Sequence, residues 1–206
     1  MNTLPRTAAV VLAAGQSRRM GRNKLLLPLD GKPVIRHVLD ALAGAPLAEV
    51  VVVIGHEAPF LRAALEGVDA RLVENPAYAS GLASSLQAGV SALDARIEGA
   101  MIVLGDMPDM APNLVERLID VFSAQGDSAR QKIVAPTCGR WRGHPVLWGR
   151  DFFPALLHET CGDSGAREVI ERHADALIRV EVESDAMLND LDMPEAWRRR
   201  VGRFEI

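Results

Sequence analysis

Residues 10–24 read VVLAAGQSRRMGRNK: an apolar run breaks into Ala13-Ala14-Gly15 and then into Arg18, Arg19, Gly21, Arg22 and Lys24. Small residues let backbone N–H groups approach anionic oxygens, and guanidinium and ammonium groups neutralise their charge, so the loop suits a polyphosphate. It is not a Walker A loop, because Gly15 and Gly21 are wrongly spaced and Lys24 precedes Leu25 instead of Ser or Thr. Nor does it contain the G-x-G-x-x-G dinucleotide turn. Charge alone favours a solvated surface loop. Its position, directly after a buried-looking strand, favours the ligand, since open α/β sheets gather ligands at the carboxyl ends of their strands.

Asp106 follows the apolar run GAMIVL, which places its carboxylate at the same edge. It reads either as a divalent-metal ligand or as a turn residue before Pro108. Asp190 and Asp192, beside Pro194, read as ligands or as helix caps. Mg²⁺ is usually held by one or two carboxylates plus substrate phosphate oxygens, so these acids and the cationic loop make joint sense. Asp163, Gly165 and Arg167, in GDSGAR, offer a second anion site at a helix start, or an ordinary cap. Arg140 and Arg142 flank Trp141 as a clamp or a solvated loop, and His144 presents an imidazole to a ligand or a structural hydrogen bond. Gly81 and Ser85 open a further helix facing the same edge. His37, His56, His158 and His173 show no metal spacing, and no nucleophile motif is present.

The elements that must position these residues alternate. Strands are expected at 8–12, 49–54, 70–74, 99–104, 132–136 and 146–148, with helices at 34–43, 58–65, 84–93, 114–123 (capped by Asn113) and about 152–158. Residues 162–165 open a helix through 172, residues 177–182 alternate as a half-exposed strand, and Pro194 starts a terminal helix. Uninterrupted β-branched runs such as EVVVVI mark parallel strands covered on both faces. The sum is a three-layer α/β domain over 1–206, mostly parallel with a minor antiparallel part.

At 206 residues with 24% charged residues and a net charge of -4, nothing marks a nucleic-acid or membrane-surface binder. Anionic ligands must be captured locally. Two of the three lysines, Lys24 and Lys32, lie in or just after the opening loop. Two cysteines give neither metal spacing nor a disulfide framework, and no apolar run approaches a membrane span, so a cytoplasmic protein is expected.

LAAGQSRRMGRNKLLLPLDGKPV resembles the signature of the MobA-like nucleotidyltransferases. NPAYASGLASSLQAG, LGDMP, GRWRGHPVLW, GDSGAR and DLDMPEAW extend the likeness to the molybdenum cofactor cytidylyltransferase branch. The resemblance implies a Rossmann-like nucleotidyltransferase fold, nucleotide binding in about 1–110 and acceptor binding in about 111–206. It implies transfer of CMP from CTP to the phosphate of molybdopterin with loss of pyrophosphate. Leu12, Ala13, Ala14, Gly15, Gly81 and Ser85 would then hold the nucleotide, Arg19 and Lys24 the triphosphate, and Asp106 and Asp192 the Mg²⁺, with Asp190 the fallback. His144, Arg142, Asp163, Gly165 and Arg167 take the acceptor side, and Arg18 and Arg22 fall to solvent or the acceptor rim. Ala14, where the guanylyl branch has Gly, favours cytidylyl transfer. The alternatives are guanylyl or sugar-phosphate nucleotidyl transfer, and a non-catalytic protein that delivers the pterin to a molybdoenzyme or its maturation factor.

Overall fold

The computed structural model describes residues 5–163 and 166–183, the side chain of Arg19 excepted. In chain order come β1 (Thr7–Ala13), the short β2 (Pro28–Leu29) and β3 (Lys32–Pro33), α1 (Val34–Leu42), β4 (Glu49–Ile54), α2 (Ala58–Ala64), β5 (Arg71–Glu74), α3 (Leu82–Ser91) and β6 (Gly99–Leu104). They are followed by α4 (Pro112–Ser123), β7 (Ile133–Cys138), β8 (Trp141–Arg142), β9 (Val146–Gly149), α5 (Phe153–His158), α6 (Arg167–Arg172) and β10 (Leu177–Glu181).

One eight-stranded sheet runs β10-β7-β9-β6-β1-β4-β5, with β8 paired to β7. β1 lies between β4 and β6 and is parallel to both. β9 runs antiparallel to β6 and β7, which supplies the expected minor antiparallel part. The chain winds from β1 to β4 and β5, then crosses back to β6 on the other side of β1. That reversal opens a crevice at the carboxyl ends of β1 and β6, where the opening loop and Asp106 emerge.

Every residue of β1 is buried, because successive side chains feed opposite layers. Ala9, Val11 and Ala13 pack with Ile35 and Val38 of α1 and Phe122 of α4. Ala8, Val10 and Leu12 pack with Leu86 of α3 and Leu156 of α5. This two-sided burial is why the strand reads as an uninterrupted apolar run. α3 lies so close to the sheet that a Cβ added at Gly89 would sit 2.2 Å from Val10 Cγ1. Gly89→Ala is therefore expected to destabilise the fold by about 1–3 kcal/mol through overpacking; a lower urea midpoint at unchanged slope would report it.

Three local expectations are corrected. Asn113 does not cap α4: the cap position is Ala111, without a side-chain bond, and Pro112 takes the first helical position, where its missing N–H costs nothing. α3 begins at Leu82, two residues ahead of Ser84, because Gly81 breaks the backbone direction immediately before it. α6 begins only at Arg167, so Gly162 and Asp163 belong to a preceding turn rather than to the helix start. Val180 is buried and faces the α1/α4 layer, while Arg179 and Glu181 are exposed, which fits the alternation expected there. The terminal helix expected from Pro194 lies outside the described residues.

Candidate active site

The loop after β1 is folded by its own small polar residues. Ser17 and Gly21 adopt positive φ of 49° and 68°, which turns the chain back on itself. The Ser17 carbonyl accepts from the Met20 amide at 2.9 Å, and its Oγ accepts from the Lys24 amide at 3.1 Å. Asn23 Oδ1 then caps the next turn by accepting from Leu25 N at 3.1 Å, and Leu25 is buried beneath it. Lys24 is thus held on both sides, by a tied amide and by a buried neighbour. Its Nζ makes an ion pair with Asp106 Oδ2 at the end of β6, and the two side chains are only 15% and 11% exposed.

The opposite wall is organised by Asn75, which the sequence reading passed over. It is buried, continues the β5 edge through its amide to the Ile54 carbonyl at 2.8 Å, and donates from Nδ2 to Ser84 Oγ at 2.9 Å and Ser85 Oγ at 3.1 Å. One amide therefore fixes both hydroxyls. Gly81, at φ +114°, lets the start of α3 press against the turn at Gly162, and a Cβ there would sit 2.6 Å from the Gly162 carbonyl carbon. The Ala83 amide donates to the Gly162 carbonyl at 2.9 Å, and the Leu82 amide to Asp163 Oδ1 at 3.2 Å. Gly81→Ala should displace this wall, weakening nucleotide binding by roughly tenfold for each 1.4 kcal/mol of strain passed to the site; titration calorimetry with a nucleoside triphosphate measures it.

Between these walls lies a cavity of about 670 Å³. Leu12, Ala14, Gly15, Lys24, Gly81, Ser85, Asp106 and Asp163 line it, so eight of the residues singled out from the sequence come together. Arg18 also lines it while remaining exposed, and its Nε donates to Gln16 Oε1 at 2.6 Å. Tyr78, Ser80, Gln16 and Ser17 are additional lining residues. Tyr78, the chain's single tyrosine, in a turn between strand and helix, was the available signal. Ala13 instead turns its side chain into the α1/α4 layer. Lys32 is no part of the cavity: the β2–β3 turn directs it to the surface, where it pairs with Asp40.

Arg142, His144 and Arg167 stand apart from this cavity, toward the β7 end of the sheet. His144 Nδ1 is buried and has no hydrogen-bond partner among the described residues. Burial pushes the imidazole pKa down, and Arg142 adds to this, while a backbone hydrogen bond at Ile102 and the Asp106 charge oppose it. The balance of these effects favours the neutral imidazole. Arg167 pairs with Glu171 at 3.0 Å along its own helix, and Arg140 stacks on Trp141 with its guanidinium carbon 4.8 Å from the ring centroid. The side chain of Arg19, and Gly165, Asp190 and Asp192, lie outside the described residues.

No group of three or more His, Cys, Asp or Glu that could hold a metal occurs among the described residues. The donor at hand is Asp106, a hard carboxylate 8% exposed at the cavity floor. That fits an oxygen-preferring divalent cation that takes one or two carboxylates and completes its shell with phosphate oxygens. No helix among the described residues is long and apolar enough to cross a membrane.

A three-layer α/β sheet with a lysine-bearing loop and a strand-end aspartate at its switch point defines a Rossmann-like phosphate-binding protein. The chain belongs to the MobA-like NTP transferase family, whose domain model matches residues 9–177, and is a nucleotidyltransferase of that family. It is similar to a protein called nicotine blue oxidoreductase of Paenarthrobacter nicotinovorans, 29% identical over 95% of this chain and 97% of that protein. The bifunctional protein GlmU of Kineococcus radiotolerans is 34% identical over 95% of this chain, which spans 38% of GlmU's length. The crystal structure of Rv0371c from Mycobacterium tuberculosis superposes with a TM-score of 0.84 at 28% identity, over 97% of this chain and 100% of that one. Rv0371c has also been solved in complex with manganese.

Proposed function

We propose that the protein transfers CMP from CTP to the phosphate of a molybdopterin-type acceptor and releases pyrophosphate, with Mg²⁺ as its metal. The observation that carries the reading is the meeting of Lys24 and Asp106 over the small-residue turn in one cavity. A phosphate oxygen of the acceptor attacks the α-phosphorus, a new P–O bond forms, and the bond to the β-phosphate oxygen breaks. The nucleophile is already anionic near neutral pH, so no general base is needed, and the work reduces to positioning and charge neutralisation.

Lys24 exchanges Asp106 for the triphosphate and holds the charge that grows on departing pyrophosphate, the role the sequence resemblance also gives to Arg19. Gly15 offers backbone close to the phosphates, its Cβ position being open to at least 4 Å. Ala14 and Ser85 face the base and ribose, and Ser85 is oriented by Asn75. Asp106, with Asp192 as the expected second ligand, would hold the Mg²⁺, which would supply Lewis-acid neutralisation of the triphosphate's charge.

Similarity to GlmU supports sugar-phosphate nucleotidyl transfer as an alternative acceptor class, and similarity along the full length of nicotine blue oxidoreductase supports a redox reaction at the same cavity as a second reading. One experiment separates them: pyrophosphate release from each of the four nucleoside triphosphates, with molybdopterin, with a sugar phosphate and with neither. Release that requires CTP and molybdopterin upholds the proposal. Release with a sugar phosphate moves the reading to that acceptor class, and no release with any acceptor ends the transferase reading in favour of the redox one.

A further inference from the structure

β7 carries three registered partners that bring charge to one face of the sheet. Thr137 is opposite Arg142 of β8, and Ala135 and Thr137 are opposite Arg179 and Glu181 of β10. Paired residues share a face, and Ala135 and Thr137, two apart, share theirs. α6, which starts with Arg167, packs on that same face through Val169 and Ile170. Three guanidinium groups from three elements thus converge near the carboxyl end of β7, which runs parallel to β6 and so ends at the same sheet edge as Asp106.

The nearby carboxylates leave two of them uncompensated. Glu171 is bound to Arg167, and Glu181 is tied by Thr137 Oγ1 at 2.9 Å and the Gly139 amide at 2.8 Å. Neither Arg142 nor Arg179 has an ion-pair partner among the described residues. Arg142 is moreover half-buried, so its charge is only partly solvated. Burial depresses its pKa, and Arg167 and Arg179 depress it further, against Glu171. In a chain of net charge -4, three mutually repelling cations mark a place kept for an anion.

We propose that Arg142, Arg167 and Arg179 form one phosphate-binding face at the sheet edge that also carries Asp106, and that it grips the phosphomonoester of the acceptor. This rests on the transferase reading for the ligand's role, but not for its chemistry. Arg179, outside every motif of the sequence, thereby becomes a specificity residue: it selects acceptors bearing a dianionic phosphate.

The test is titration of inorganic phosphate into protein carrying Lys24→Ala, which removes the loop cation paired with Asp106 and so weakens competing binding there, with heat or ³¹P line width as the signal. Saturable binding is expected, weakened about tenfold or more by Arg142→Gln or Arg179→Gln and less by Arg179→Lys, because loss of a charge-assisted hydrogen bond is of that size. Arg62→Gln, far away on α2 and paired with Glu74, should change nothing. Circular dichroism confirms that each variant is folded, and the lysine variant carries the test if the glutamine variant is not. No saturable binding, or equal binding in the Arg142 and Arg179 variants, overturns the proposal. Failure of the transferase reading shows separately, as absence of pyrophosphate release by the wild-type protein.

Discussion

Lys24→Ala is expected to lower turnover by roughly 10²- to 10³-fold, the usual cost of removing one preorganised charge-stabilising donor. The geometry explains why no neighbour should compensate. Lys24 is fixed by the Ser17 Oγ bond to its amide and by buried Leu25, whereas Arg18, the other described cation on the cavity, points its Nε to Gln16. Lys24→Arg should restore only part of the loss, since its planar fork needs a different approach from a point charge. Stability should fall much less, on the order of 1 kcal/mol, because the ion pair with Asp106 borders an open cavity where water can replace the ammonium. The measurement is steady-state pyrophosphate release beside a urea melt. Near-normal turnover would remove Lys24 from the chemistry, and equal losses in turnover and stability would make it a structural residue.

What could be read from the residues alone was whatever local chemistry decides. β4 and β6 begin and end at the expected residues, because their β-branched and apolar runs have no competing period. The nucleotide side of the cavity was also legible: Leu12, Ala14, Gly15, Lys24 and Asp106 line it because each lies in, or in the loop directly after, a central parallel strand. Contacts made between distant segments were not legible. Asp163 was read as the start of its own helix, yet its Oδ1 caps α3, 81 residues away. Lys32 looked like a companion to Lys24 by spacing, yet a two-residue hairpin turns it toward Asp40. Asn75 heads the NPAYASGLASSLQAG segment, yet its bonds to two serines exist only once β5 meets α3, and Arg179 lies in no motif and reaches its place beside β7 only once β10 pairs with it.

Asp106→Asn separates the transferase from a pterin-delivery protein more sharply than any change in the loop. Asparagine keeps the shape of the side chain but removes the anionic oxygen, so pyrophosphate release should fall by at least roughly 10²-fold. Binding of Mn²⁺ in the presence of CTP, followed by electron paramagnetic resonance, should weaken in parallel, since a hard cation loses a charged oxygen donor. The fold should tolerate the change: Lys24 keeps a hydrogen-bonding partner in the amide oxygen and can reach water across an open cavity. Acceptor binding should persist, because the arginine face on β8, α6 and β10 is built from other elements. A delivery protein would show that same retained binding but would release no pyrophosphate before or after the substitution. A transferase in which Asp106 only braces the turn before Pro108 would instead lose stability first and keep its metal requirement. The combination of unchanged melting, unchanged acceptor binding and lost metal-dependent turnover belongs only to a carboxylate that meets the nucleotide's metal.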